Sequence, residues 1–388
     1  MRKPLAATLG AFVFLGVFWG SFAVLLTDLS RSLGLSPGPL GLALFAGAAS
    51  SIAAMALLGR TVDAVGRRPF LLASGGVLGL GIAGLAFADG YGALIAVLMV
   101  LYGASGLYDV GINAAAVDLE RASGRRIMSL FHAAFSGGGV AGALAAGALL
   151  SAGVGYRQVY GLVLLPLLAA LLGVAATRPV ASEAPSREGD EPARGLLSNL
   201  PLLLVASIAT LGLLSEGEME HWSGIYLRDG LALPALLGAS GVAVFHAAMA
   251  AGRLGAAWTV NRLGNRRTLA GAGLLTAAGM ALALATTEPA LVVLGFLLVG
   301  VALSAVVPIA FSVAGDLAPE RAGAAISVVT TLGYGGFLLG PVIVGGLAEV
   351  FGLRAALGTI AVAGLAILVL STRVDGGRKG TYSGRASS

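Results

Sequence analysis

Apolar runs long enough to cross a bilayer recur along almost the whole chain, and nothing else in the sequence narrows the fold as much. A hydrocarbon core of roughly 30 Å needs about 20 apolar residues per helix. Twelve runs meet that length: 5–29, 39–58, 70–88, 93–118, 127–151, 157–177, 199–225, 235–258, 268–286, 290–314, 323–349 and 354–372. Turn-forming or charged clusters separate them, among them Ser36-Pro37-Gly38, Asp89-Gly90 and Glu288-Pro289. The expected fold class is an all-α polytopic membrane protein with twelve transmembrane helices. Composition agrees: 57% of residues are apolar and 11% charged, too little charge to clothe a soluble surface of this size. Sixty glycines suit membrane helices, whose backbones approach closely at small residues. The first run follows Arg2 and Lys3 as a secretory signal would. It is too long for such a signal and no small-residue cleavage site follows, so it reads as a retained span.

The chain also repeats itself. At a step of 198 residues Asp63 falls on Asn261, Gly66 on Gly264 and Arg68 on Arg266. The same step carries Asp118-Leu119 onto Asp316-Leu317, Gly137-Gly138 onto Gly335-Gly336, Gly142 onto Gly340 and Gly147 onto Gly345. One register shared by so many positions is an internal duplication. It divides the chain into a six-helix bundle over 1–177, a linker over 178–197, a second six-helix bundle over 198–374 and a tail over 375–388. The linker holds Pro179, Pro185 and Pro192 with several acids, and reads as disordered and cytoplasmic; the tail reads as disordered too.

Orientation follows from the basic residues. With both termini cytoplasmic, only Arg31, Arg157, Arg228 and Arg354 of the 24 Lys and Arg residues lie outside. Arg60, Arg67, Arg68, Arg121, Arg125, Arg126, Arg262, Arg266 and Arg267 then fall in inner loops, as the positive-inside rule requires. Six spans per half make the duplication a parallel repeat about an axis along the membrane normal, a layout with a central cavity at midplane. The expected place is the cytoplasmic (inner) membrane of a prokaryote, multi-pass.

Between spans 2 and 3 lies the stretch GRTVDAVGRR, Gly59 to Arg68. Gly59 and Gly66 permit close packing and a tight reversal, Asp63 suits a helix N-terminus or an arginine, and Arg67 and Arg68 suit acidic groups or lipid phosphates. The spacing G-x-x-x-D-x-x-G-R-R resembles the signature loop of the major facilitator superfamily, with a weaker copy at Asn261, Gly264 and Arg266. The resemblance covers the whole chain. It implies two pseudo-symmetric bundles and a gate in which Asp63 latches the cytoplasmic side; a plain topogenic role suits the arginines equally. Arg253 matches a position that recurs in the family near the inner end of span 8, and the resemblance implies that it serves the inner gate. Drug-antiporter branches carry Gly-Pro in span 5 and an Arg within span 4. Here Gly340-Pro341 stands in span 11 and span 4 lacks the Arg, which weighs against that branch.

Ionisable groups inside spans are costly and therefore candidates for function. In span 4, Tyr102, Asp109, Asn113 and Glu120 lie within about 40° of one helical face. Asp109 with Asn113 offers a protonatable acid beside a neutral donor and acceptor. This Asp-x-x-x-Asn element resembles a Glu-x-x-x-Asn element of the fucose-permease branch, and is similar to an uncharacterised bacterial inner-membrane group. Asp109, Glu216, Glu120 and His132 are the proton-coupling candidates; His132 is otherwise a packed or solvated residue. Glu216 lies near the outer leaflet by counting from Asn199, and closer to midplane by its repeat mate Phe18. Glu218, Glu220 and His221 are expected at the outer mouth, solvated. Trp19, Tyr102, Asn113, His246 and Tyr334 are the solute-binding candidates, with ordinary packing the alternative for Trp19 and His246.

No G-x-x-x-x-G-K-[ST] loop, no H-E-x-x-H and no cysteine occur, so ATP drive, zinc hydrolysis and enzyme activity gain no support. No cofactor, metal or nucleic acid is expected. The expected function is secondary active transport of a small polar, sugar-like solute with H+ by symport. Proton-driven efflux of drugs or metabolites is the alternative. The expected partners are the solute, H+ and the lipid bilayer, with the chain acting as a monomer.

Overall fold

A computed structural model describes residues 2–125, 127–177 and 195–374, the Ala257 side chain excepted. Twelve of its helices are long and apolar enough to cross a membrane. They are α1 (Arg2–Ser32), α2 (Pro37–Leu58), α3 (Arg67–Phe87), α4 (Tyr91–Ser123), α5 (Met128–Ser151) and α6 (Tyr156–Ala175). The second six are α7 (Leu200–Gly230), α8 (Ala235–Ala256), α9 (Trp258–Ala285), α10 (Pro289–Leu317), α11 (Pro319–Phe351) and α12 (Leu353–Ser371). No strand occurs among the described residues. Several helices outrun the apolar stretch that announces them. The stretch from Trp258 to Leu263, outside the expected span 9, is helical up to Gly264. Within α10 the helix breaks at Ser304-Ala305, where Pro308 has no N–H for the Ser304 carbonyl. Of the expected linker, 178–194 lies outside the described residues, as does the expected tail. The last two linker residues, Leu196 and Leu197, belong to a short 3-10 turn, Leu196–Ser198, with Leu196 buried.

The duplication is written in backbone angles. Gly66 and Gly264, one repeat apart, share an unusual conformation: φ 86°, ψ 155° in one and φ 78°, ψ 165° in the other. Glycine alone adopts this without a Cβ penalty. Packing repeats as well. In the first bundle α1 lies on α5 and α6, and α4 on α2 and α3; in the second α7 lies on α11 and α12, and α10 on α8 and α9.

Glycines set how closely these helices meet. Lipid is as apolar as leucine, so helix association depends on close packing and on small residues that admit it. A Cβ on Gly138 would strike the Val13 carbonyl, and one on Gly142 the Val17 carbonyl, fixing α5 against α1. Their repeat mates Gly336 and Gly340 approach the carbonyls of Thr210 and Leu214 on α7. The third mates join the bundles to each other. Gly345 of α11 would meet the Pro37 carbonyl of α2 at 2.6 Å, and Gly147 of α5 would meet Ala239 of α8, also at 2.6 Å.

Position, and not glycine content, therefore decides tolerance. Gly142→Ala is expected to destabilise the purified protein by about 1–3 kcal/mol through overpacking. Gly137→Ala, with open space around it, should leave stability unchanged or raise it by up to about 1 kcal/mol, since Ala is the better helix former. Thermal unfolding of the two variants side by side checks this; equal losses would refute it.

Candidate functional site

A cavity of about 330 Å³ lies between the bundles at mid-length, at the lower end of the range for small-ligand sites. Its first-bundle wall includes Trp19 of α1, Ile52 and Met55 of α2, Tyr102 and Asp109 of α4 and Phe135 of α5. Facing it stand Glu216, Glu220 and His221 of α7, Phe245, His246 and Arg253 of α8, and Tyr334 and Phe337 of α11. The chemistry is uneven. Aromatic and aliphatic surface dominates one side, while acids and bases gather on α7 and α8.

Each acid is held differently. Glu216 stands 3.8 Å from Arg253 and Glu220 stands 3.6 Å from His246. Both separations are too long for good hydrogen bonds, and the second is an ion pair only when His246 is protonated, so a polar ligand group can enter either. Asp109 has no basic partner among the described residues. The Asn113 amide donates to its Oδ1 at 3.0 Å and to its backbone carbonyl at 2.9 Å, which orients the carboxylate along the cavity wall.

Above this lies a closed roof. The Tyr102 hydroxyl and His221 Nε2 are 2.9 Å apart, bridging the bundles. Because His221 Nδ1 sits 2.7 Å from the Gly217 carbonyl, it must carry a hydrogen. The Nε2 of the neutral ring is then the acceptor and Tyr102 the donor. Trp19 packs edge-on against Tyr102 at 4.8 Å, and Phe22 against Trp19 at 5.6 Å.

Beyond the roof, at the end away from the termini, ion pairs join the bundles. Asp28 of α1 accepts from both terminal nitrogens of Arg228 on α7, one of them at 3.0 Å. Arg31 pairs with Asp229, its own repeat mate, so this bridge crosses the pseudo-symmetry axis. Two further bonds are themselves repeat-related. The Gly38 amide donates to Glu349 at 2.7 Å, and the Leu236 amide to the Ser151 hydroxyl at 3.1 Å. Gly38 is the mate of Leu236 and Ser151 of Glu349.

The termini end is open. Tyr334 is 50% exposed although it lines the cavity, and the Arg253 side chain is 43% exposed. The motif loop stands at this end and makes its contacts within its own bundle. Arg67 pairs with Asp63 and, at 2.9 Å, with Asp118 of α4. Arg68 donates to the Ala175 carbonyl at the end of α6. Gly59 closes α2 through its amide to the Met55 carbonyl at 2.9 Å. In the second copy Asn261 and Arg266 are exposed around Gly264, and Asn265 replaces the pairing arginine.

Of the residues singled out from sequence, Trp19, Tyr102, Asp109, Glu216, His246, Arg253 and Tyr334 line one cavity. Asn113 lies behind Asp109 and orients it without lining the wall. Glu120 is outside the cavity: its Oε2 accepts the Ile127 and Met128 amides at 2.6 and 2.8 Å, capping the start of α5. His132 is exposed and meets Phe12 edge-on at 5.8 Å, also outside. The expectation that Glu218, Glu220 and His221 are solvated at an outer mouth is wrong. Glu218 is 0% and His221 3% exposed, and Glu220 lines the cavity. The reason is length: α7 runs on through a wide final turn to Gly230, which puts these residues deeper than a span ending at 225 would. The repeat register already indicated this, since Glu216 maps onto the fully buried Phe18. Phe135, Phe245 and Phe337 carry no mark in the sequence that separates them from core phenylalanines.

Known proteins match over nearly the whole chain. The family model of the Major Facilitator Superfamily matches residues 7–261 and 241–385. An uncharacterised MFS-type transporter of Yersinia pestis is 33% identical over 354 residues, 90% of each chain. Membrane protein MosC of Rhizobium meliloti is 30% identical over 382 residues, 97% of this chain and 92% of that one. The solved nucleoside transporter NupG superposes with a TM-score of 0.81 at 14% identity, covering 96% of this chain and 98 to 100% of that one across two structures at TM-scores of 0.80 and 0.81. A bacterial homologue of the lysosomal transporter Spinster, solved inward-facing and occupied, superposes at 0.75 with 17% identity over 95% of each chain.

The ion pairs at the far end predict a measurable gate. The chain has no native cysteine, so a single cysteine reports without background. Ala23 is buried on α1, its carbonyl facing Gly224 of α7 between gate and cavity. In an Ala23→Cys protein, adding Arg228→Gln should speed alkylation about tenfold, roughly 1.4 kcal/mol in the opening equilibrium. An unchanged rate would show that the pair does not hold this end shut.

Proposed function

The chain belongs to the major facilitator superfamily and is a multi-pass membrane transporter, not an enzyme; on that premise we propose that it takes up a small polar solute together with a proton. The observation that carries this reading is Asp109, a cavity carboxylate with a side-chain amide for company and no basic partner among the described residues. Alternating access requires a moment when the cavity is cut off from water at both ends. An unpaired carboxylate in that state costs far more than a neutral acid. A proton on Asp109 removes the charge, so the carrier loaded with solute and proton crosses, whereas solute over an unprotonated Asp109 is held back; in the emptied carrier, water left in the place of the solute hydrates the carboxylate for the return.

The solute we infer is hydroxylated on one side and apolar on another. Trp19, Phe135 and Phe245 offer ring faces and edges, while the loose Glu216–Arg253 and Glu220–His246 pairs offer donors and acceptors to hydroxyls. Sugar-like metabolites have this division. The basic loops at the termini end support a cytoplasmic position for both termini and for the linker. On that assignment the form described here is open inward and sealed outward by Asp28–Arg228 and Arg31–Asp229. Solute and proton shift the balance between forms only by binding one better than the other. The loop at Asp63 to Arg68 is the inner gate's latch in this reading, disengaged while that side is open.

Asp109→Asn mimics the protonated acid permanently. In proteoliposomes it should abolish concentrative uptake while preserving solute exchange, and solute-induced alkalinisation should vanish; full concentrative uptake would remove Asp109 from the mechanism. Thermal-shift screening against sugars, nucleosides and amphipathic drugs identifies the ligand to use. Trp19→Ala should then raise the half-saturation concentration about tenfold, roughly 1.4 kcal/mol of stacking and burial. Energised export of a dye, without proton movement on adding any sugar or nucleoside, would replace uptake by efflux.

A further inference from the structure

We propose that Glu218 is a second proton-binding site, on the face of α7 turned away from the cavity and beyond reach of the solute. Its carboxyl is completely buried between α7, α11 and α12. One oxygen, Oε1, has no hydrogen-bond partner among the described residues, and the other, Oε2, lies 3.0 Å from the Thr359 hydroxyl.

That hydroxyl decides where a proton sits. Thr359 has a single hydroxyl hydrogen, and its Oγ1 is also 2.7 Å from the Ala356 carbonyl, the shorter of the two contacts. With the hydrogen committed to the carbonyl, the contact to Glu218 is favourable only if the carboxyl itself donates. An ionised Glu218 would instead set a carboxylate against a hydroxyl lone pair with its second oxygen bare, at a position closed to solvent. Burial of that kind costs several kcal/mol unless a cation compensates.

Among the described residues no cation is placed to do so. On α7 itself, Glu216 and Glu220 turn into the cavity, and His221 is committed to Gly217 and Tyr102. The part of α11 against Glu218 is Gly340-Pro341, where a Cβ on Gly340 would come 3.3 Å from Glu218 Cγ. At the far end Glu349 of α11 accepts from the Gly38 amide, and Arg354 of α12 donates to the carbonyls of Leu284 and Thr286. Arg228 of α7 and Asp28 of α1 pair with each other.

The position links this proton to a helix bend. Pro341 cannot donate to the Phe337 carbonyl, which rests instead at 2.8 Å from the Cβ position of Gly217, beside Glu218. Phe337 is also a cavity residue. Glu218 therefore abuts α11 where its own ladder is broken, and its ionisation would load the segment that carries Phe337.

Infrared spectroscopy of the purified full-length protein at neutral pH tests the site. A carboxylic-acid carbonyl band is expected in the unsubstituted protein and in Asp109→Asn, absent from Glu218→Gln, and shifted by Thr359→Val. Because the folded state holds a proton that the unfolded chain releases above the ordinary glutamate range, stability should fall as pH rises through that window. Glu218→Gln cannot ionise, so its melting temperature should gain on the unsubstituted protein as pH rises from about 5, above the ordinary glutamate range. An acid band untouched by Glu218→Gln, or parallel melting curves over that rise, overturns the proposal. Persistence of the band in Asp109→Asn keeps the result separate from the fate of Asp109.

Discussion

Backbone meeting backbone at glycine is the contact on which this architecture depends. Inside a bilayer there is no water to expel from between helices, so proximity must come from shape. Gly138 and Gly142 let α5 reach the carbonyls of α1, and Gly336 and Gly340 let α11 reach those of α7. The next member of each series, Gly147 or Gly345, performs the same service across the boundary between bundles. Intra-bundle rigidity and inter-bundle contact thus share two helices.

Those two kinds of contact differ in what reinforces them. Within a bundle the glycine contacts run along the membrane-crossing length of α5 and α11. Between bundles, at the far end, they are joined by ion pairs and single amide-to-side-chain bonds such as Gly38–Glu349. Such polar contacts can be exchanged for water, whereas a buried backbone approach cannot. The molecule is thereby divided into closely packed bundles and a more polar seam between them. Tyr102 and His221 belong to the seam, since their bond joins α4 to α7 directly above the cavity.

Buried acids are compensated in three ways around that seam. Glu216 and Glu220 have loose basic partners, Asp109 has an amide, and Glu218 has a hydroxyl already spoken for. The gradation runs from acids with a basic partner to acids that have none among the described residues. It arises over a few residues of α7 and one turn of α4, with no metal cluster among the described residues to assist.

Much of this was legible in the residue order. Run length announced twelve crossing helices, and the step of 198 announced two related bundles, because both are local or periodic properties of a chain that must satisfy its backbone inside lipid. The same step foretold the matched turns at Gly66 and Gly264, which only glycine adopts freely. Asp109 stood out because an acid amid apolar residues is costly anywhere. The sequence could not say that Glu120 caps a neighbouring helix while Glu220 faces a cavity, for both are acids near a helix end. Nor could it give the depth of Glu218 and His221 or the pairing of Arg228 with Asp28. Those depend on how far α7 continues and on which faces two separately folded bundles turn to each other, and such distances exist only once the helices are packed.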